Sequence, residues 1–102
     1  MSNNLEIKYL PVAMKDLEEI LSYIERDNPP AAMALLDNLD STISKLAQFP
    51  YMGKIPKDNY LLQKEYRILV VENYLVFYVI MEDIIEIRRI LHGKRKYDFL
   101  LR

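Results

Sequence analysis

The residues best suited to chemistry in this 102-residue chain are concentrated between Arg88 and Tyr97. That run reads Arg-Arg-Ile-Leu-His-Gly-Lys-Arg-Lys-Tyr, with five fixed positive charges, the only histidine of the chain and no acidic residue. The whole chain has a formal net charge of −1, so its positive charge is sorted toward this run. Such sorting is typical of a contact with a polyanion or a phosphate group. The alternative is a solvated strand end that collects basic residues for solubility and edge protection.

Phosphate-ester cleavage is the reaction that these residue types can support. Clustered Lys and Arg stabilise charge that develops on a phosphate and shift the pKa of a neighbouring group. The side chain expected to titrate near neutrality unaided is His92. The candidate catalytic residues are Arg67, Arg89, His92, Arg95 and Tyr97. The candidate residues for binding a nucleic acid or another target are Arg67, Tyr78, Arg88, Lys94, Arg95 and Lys96. Structural roles are the alternative, since strand tyrosines usually pack and a lone histidine usually donates a structural hydrogen bond.

The composition excludes several other kinds of site. The chain has no cysteine, so it forms no disulfide, thiolate nucleophile or cysteine-ligated zinc site, and one histidine cannot supply a histidine-rich metal site. We therefore expect neither a metal nor a cofactor. A length of 102 residues with 51% hydrophobic and 28% charged residues predicts one globular domain, 1–102. The N-terminus lacks a leader pattern and no apolar run is long enough to span a bilayer, so we expect a cytoplasmic protein without membrane contact.

The first half of the chain predicts one strand and two helices. Apolar and polar residues alternate from Leu5 to Leu10, as in a half-buried strand. From Val12 to about Arg26 the apolar residues recur on one helical face. Asn28, followed by two prolines, is a good N-cap for a second helix. The apolar face of that helix comprises Ala32, Leu35, Leu36, Leu39, Ile43 and Leu46. So short a connection requires the two helices to lie side by side and roughly antiparallel.

The second half predicts three strands, at Tyr66 to Val71, Tyr74 to Ile80 and Ile84 to Leu91. A two-residue turn at Glu72-Asn73 would pair Val71 with Tyr74, Leu69 with Val76 and Arg67 with Tyr78. The face made of Tyr66, Ile68, Val70, Leu75, Phe77 and Val79 is apolar apart from one phenol, so we expect the helices to cover it. Arg67, Tyr74 and Tyr78 would then lie on an open face. The predicted fold is α+β, with the order β-α-α-β-β-β and two antiparallel N-terminal helices on one face of a small antiparallel sheet.

Segments spread over nearly the whole chain resemble the RelE/ParE superfamily of type II toxins. They are Asp27 to Ala32 between the helices, Leu46 to Gly53 after them, Tyr66 to Tyr78, and Ile87 to Tyr97. The resemblance implies a RelE/ParE-like fold and a growth-arresting toxin that is encoded with an antitoxin. The cognate antitoxin wraps and neutralises such a toxin, and the complex often represses its own operon. A free toxin stripped of its antitoxin could pair with itself as a homodimer.

The superfamily divides in activity, and the resemblance leaves two alternatives open. RelE-like members are mRNA interferases that cleave messenger RNA in the ribosomal A site, and Arg67 and Arg95 match basic positions of those nucleases. Leu69 and Leu75 stand where such nucleases carry basic residues. ParE-like members resemble this chain from Arg89 to Gly93, and they poison DNA gyrase through protein contacts without acting as enzymes.

The effector partner is therefore either the ribosome with its mRNA or DNA gyrase. A third alternative is a degenerate, non-toxic chain that only binds or regulates with an antitoxin. The chain is an enzyme only under the first of these alternatives.

Overall fold

The structure, a computed structural model, describes residues 4–93. The candidate residues Lys94, Arg95, Lys96 and Tyr97 lie outside the described residues. The elements in chain order are β1 (Glu6–Tyr9), α1 (Pro11–Glu25), α2 (Pro29–Ser44), α3 (Asn59–Gln63), β2 (Tyr66–Val71), β3 (Tyr74–Met81) and β4 (Ile84–His92). Two short 3₁₀ turns, Lys45–Ala47 and Pro50–Met52, lie between α2 and α3.

The two long helices begin where the sequence predicts. Pro11 occupies the first turn of α1, where its missing N–H costs no hydrogen bond. The side chain of Asn28 caps α2 by accepting a hydrogen bond from the N–H of Ala31 at 3.1 Å, which confirms the predicted N-cap. The two helices pack against each other across a connection of only three residues, as expected for an antiparallel pair. Within residues 4–93, every helix is too short or too polar to cross a membrane.

The four strands form one sheet in the order β1-β4-β3-β2. The predicted hairpin register is confirmed, because Val71 pairs with Tyr74, Leu69 with Val76 and Arg67 with Tyr78. Glu72 has a φ of 55°, the positive value that hairpin turns of this length require at their first position. The sheet is mixed because β1 pairs in parallel with β4, after the chain has crossed over through the helices.

The helices cover the face of the sheet that the sequence analysis predicts to be open. We call this the helix face, and its buried residues are Leu69, Val71, Val76, Tyr78, Ile85, Ile87 and Ile90, which pack with Leu35, Leu39 and Ile43 of α2. The opposite, outer face holds Tyr66, Phe77, Val79 and Leu91 around Leu61 of α3. The predicted assignment of faces is therefore wrong. It assumed that a phenol and a guanidinium stay in water, whereas the connection between α2 and β2 supplies backbone partners for both Tyr78 and Arg67.

Candidate functional site

A β-bulge in β4 decides where its two arginines go. Phe77 of β3 pairs with Arg89 and the next residue, Tyr78, pairs with Ile87, so Arg88 is the extra residue of the bulge. The sequence left open whether the strand is bulged and which arginine shares a face with Arg67. In the structure the two guanidinium groups have different neighbours.

Arg89 reaches α1 and forms an ion pair with Asp16. Its Nε donates to Asp16 Oδ2 at 2.7 Å and its Nη2 donates to Oδ1 at 2.8 Å, a bidentate geometry. The backbone N–H of Ile90 also donates to Asp16 Oδ2, at 3.0 Å. The exposed fractions of the two side chains are 15% and 9%. The hydrogen bond to Asp16 raises the pKa of Arg89, so this charge is fixed and already matched by a carboxylate.

Arg88 is held on the outer face of the sheet. Its Nε donates to Glu86 Oε1 at 2.8 Å, and its guanidinium carbon lies 5.4 Å from the centre of the Tyr66 ring. Burial lowers the pKa of Arg88, hydrogen bonds to Tyr66 and Glu86 raise it, and the net shift is upward. Arg88 therefore also has a carboxylate partner within the protein.

Arg67 and Tyr78 hold the segment that follows α2. Nη1 of Arg67 donates to the carbonyl oxygens of Tyr51 at 3.2 Å and Gly53 at 3.0 Å, and the guanidinium lies 4.9 Å from the Tyr51 ring centre. The Tyr78 hydroxyl accepts from Gly53 N at 2.9 Å and donates to Pro50 O at 2.7 Å. Burial raises the pKa of Tyr78, although Gly53 and Arg67 act against that shift. Tyr78 is fully buried, which corrects its predicted role from target contact to packing.

His92 lies at the other end of the hairpin. It pairs with Tyr74, and the two rings meet edge to face with their centres 5.3 Å apart. His92 also lines a cleft of about 360 Å³ beside α1, together with Asp16, Glu19, Ile20, Tyr23, Ile24, Tyr74, Ile90 and Leu91. The next residue, Gly93, donates its N–H to Asn73 O at 2.7 Å, which closes the end of the sheet.

The structure does not bring the described candidate catalytic residues together. Arg67 pairs with Tyr78 and His92 pairs with Tyr74, so the two positions are separated by four residues along β3, or roughly 13 Å at 3.3 Å per residue. Arg89 lies between them but is turned to Asp16. Within residues 4–93, no three acidic or histidine side chains are grouped closely enough to hold a metal ion.

A second surface, on the connection between α2 and β2, was not predicted from the sequence. Five large hydrophobic side chains here are at least 40% exposed, and we call them the apolar patch: Phe49, Tyr51, Met52, Ile55 and Leu62. Tyr51, Ile55 and Leu62 line one cleft of about 280 Å³ with Tyr66 and Arg67. Residues 45–67 carry five Lys and Arg against two acidic residues. The sequence does contain a signal for this surface. Apolar residues and lysines recur in a stretch without the hydrophobic periodicity of a helix or strand, which indicates that the apolar side chains are exposed.

Comparison with known proteins gives a consistent result. A family model described as the ParE toxin of a type II toxin-antitoxin system, parDE, matches residues 7–97. A proposed toxin of Sinorhizobium fredii, Y4kP, is 29% identical over 97 residues, which are 93% of this chain and 95% of that protein.

Two solved structures share the fold. A chain of the chromosomal ParDE toxin-antitoxin system of P. aeruginosa superposes with a TM-score of 0.75 at 18% identity, covering 91% of this chain and all of that one. A chain of the RelBE2 toxin-antitoxin complex of Mycobacterium tuberculosis gives a TM-score of 0.61 at 16% identity, covering 87% of this chain and 98% of that one.

Proposed function

We propose a function for this chain that builds on its family. The chain belongs to the ParE toxin family, because the family model matches residues 7–97. The chain is the toxin component of a type II toxin-antitoxin system. The proposal concerns its target, which is DNA gyrase. The toxin arrests growth by protein contact with gyrase, without enzymatic cleavage of RNA. A cytoplasmic location fits this target.

The proposal rests on one observation: the described candidate arginines all have hydrogen-bond partners within the protein. A nuclease needs guanidinium groups aimed at the phosphate whose charge grows in the transition state. Arg88 and Arg89 are matched by Glu86 and Asp16, and Arg67 donates to two backbone carbonyls. Redirecting any of these groups to RNA would break contacts within the protein, so the described part of the chain is better suited to binding a protein.

The distribution of charge supports the same choice. The chain carries 14 Lys and Arg against 15 Asp and Glu, a formal charge of −1, so it has no net positive charge to attract a polyanion. Binding to RNA gains affinity from each phosphate that a free cation neutralises. A chain with no net positive charge, whose described arginines are engaged within the protein, gains little affinity from such neutralisation.

The family also implies a cognate antitoxin that neutralises the toxin. We propose that the antitoxin docks at the end of β4, over the cleft between α1 and His92. The exposed ring of Tyr23 and the side chains of Ile20 and Ile24 give that cleft an apolar wall. Homodimerisation of the free toxin is a further proposal.

Induction of the toxin in growing cells, with two readouts in parallel, tests the choice of target. We expect gyrase–DNA cleavage complexes and the SOS response to appear, while messenger RNA gains no new ends inside codons. The Leu39→Asp variant gives the baseline, because Leu39 is 1% exposed in the core and a charge there prevents folding.

The same experiment separates the alternatives. New RNA ends within codons that disappear in Arg67→Ala and Arg95→Ala variants, with normal supercoiling, would show a RelE-like nuclease and overturn the proposal. Harmless expression of the wild-type protein would show the degenerate alternative.

A further inference from the structure

We infer that the apolar patch is the surface with which this toxin binds its target protein, at a site that presents aliphatic side chains beside carboxylates. The inference rests on the proposed function, since it assumes a toxin that acts by protein contact. It adds a surface on the connection between α2 and β2, formed by residues other than the arginines of β4.

The composition of the patch is that of a protein interface. Exposure reaches 67% at Tyr51, 61% at Ile55 and 60% at Phe49. Aromatic residues, methionine and arginine are enriched at the centres of protein interfaces, and a few such residues dominate the binding energy. Among residues 4–93, five of the eleven large hydrophobic side chains with this exposure fall within residues 49–62. That concentration distinguishes the patch from the scattered exposed residues of an ordinary surface.

The patch is also held rigid by the core. Tyr78 bonds both Pro50 and Gly53, Arg67 bonds both Tyr51 and Gly53, and the backbone of Lys54 exchanges two hydrogen bonds with Ile68 at 2.7 and 3.0 Å. A Cβ atom added at Gly53 would lie 2.6 Å from the Tyr78 hydroxyl oxygen, so the segment is packed as closely as its backbone allows. A rigid loop that presents apolar side chains loses little conformational entropy on binding.

Charge determines which partner fits. Lys45, Lys54, Lys57 and Lys64 are exposed in this segment. Of its two acidic residues, Glu65 is exposed and lines the cleft, and Asp58 caps α3 by accepting from Leu61 N at 3.0 Å, so lysines still outnumber carboxylates. The helical layer, residues 11–44, carries seven acidic residues against two basic ones. The molecule therefore presents a basic apolar surface within an acidic body. An acidic partner is attracted to the patch and repelled by the helices, which fixes the orientation of binding.

The test compares two double variants in a supercoiling assay with purified gyrase. The patch variant is Lys54→Glu with Ile55→Ser, and the control is Lys15→Glu with Met33→Ser on the helices, where Met33 is 60% exposed. Each replaces an exposed lysine by glutamate and an exposed hydrophobic residue by serine, so thermal unfolding should show that both remain folded. We expect the patch variant to need about tenfold more protein for half-inhibition. The control should stay within about twofold of wild type.

Each other outcome overturns the inference in a recognisable way. If the wild type inhibits gyrase and the two variants inhibit it equally, the apolar patch is not the binding surface, and the gyrase proposal stands. A wild-type protein that does not inhibit gyrase refutes both. If sedimentation shows that the patch variant only dissociates a dimer and still inhibits, the patch is a contact between copies and not a target site. A Phe49→Ser variant provides a second, uncharged check of the same surface.

Discussion

The end of β4 and the connection between α2 and β2 use their basic residues in opposite ways. At the end of β4, Arg88 and Arg89 are partly buried and paired with carboxylates. In the connection, Lys54 and Lys57 are exposed beside exposed apolar side chains. The density of charge along a sequence therefore does not show which charges are available to a partner. What decides is whether the fold brings an acceptor within reach of each cation.

The comparison also assigns different roles to the two regions. A buried ion pair that loses one partner leaves an unpaired charge, which is costly, whereas an exposed side chain contributes little to folding. We therefore expect changes at the end of β4 to act on stability and changes in the connection to act on binding.

Asp16→Ala should have the largest effect on stability. It removes the acceptor of Arg89 and of the Ile90 N–H, so we expect a loss of about 3 kcal/mol of unfolding free energy in urea denaturation. Glu18→Ala, an exposed neighbour on the same helix, is the control and should change stability by less than about 0.5 kcal/mol. Equal effects of the two variants would show that the end of β4 is not held by this pair.

Tyr78→Phe should lower the unfolding free energy by about 2 kcal/mol, because it leaves Gly53 N–H and Pro50 C=O without their partner. The change keeps the ring in the core, so the loss is assigned to the two hydrogen bonds that hold the connection. Tyr23→Phe, at a 73% exposed phenol, is the matched control. A Tyr78→Phe protein as stable as wild type would mean that the hydrogen bonds of the Tyr78 hydroxyl do not hold the connection in place.

High pH should weaken the core under the connection. Burial raises the pKa of Tyr78 above its usual 10.0, so the folded state keeps this proton more strongly than the unfolded state. That contribution to stability is complete below pH 10 and is lost as the pH rises through the folded-state pKa, at up to about 1.4 kcal/mol per pH unit. Burial also raises the pKa values of Tyr9 and Tyr74. The negative charge of Asp40 adds to the shift of Tyr9, and that of Glu72 adds to the shift of Tyr74.

Unfolding free energies measured between pH 9 and 11 check this prediction. The decline should be shallower in Tyr78→Phe than in wild type, because that variant lacks one of the three groups. Parallel curves for the two proteins would contradict the assigned burial of this phenol.

Ile55→Ser should have the smallest effect on stability, within about 0.5 kcal/mol of wild type, because the side chain is 61% exposed. A loss comparable to that of Asp16→Ala would show that the patch is part of the folding core. The distinction between a structural region and a binding region would then fail.

Local patterns predicted the elements of this fold well. The alternation from Leu5 to Leu10, the Asn28 cap and the Glu72-Asn73 turn each depend on near neighbours in the chain, and each is confirmed. The helix α3 was missed because five residues are too few to show a helical period.

Long-range partners explain what the sequence could not predict. Both faces of the hairpin are apolar, so periodicity alone could not choose between them. The choice depends on the Tyr78 hydroxyl, which accepts a hydrogen bond from Gly53 N–H and donates one to Pro50 C=O. Those partners lie 25 and 28 residues earlier in the chain. In the same way, Arg89 is paired with a carboxylate 73 residues earlier, which no local pattern reveals. The candidate residues Arg67, Tyr78, Arg88 and Arg89 lie on the predicted strands, but the partners that engage them could not be predicted.

Direct measurement of binding to purified gyrase tests the account most directly. The affinities to compare are those of wild type, Arg88→Gln and the Lys54→Glu, Ile55→Ser double variant. We predict that the double variant binds about tenfold more weakly and that Arg88→Gln binds within about twofold of wild type. Weakened binding by Arg88→Gln with unchanged binding by the double variant would contradict the account and return the target site to the end of β4.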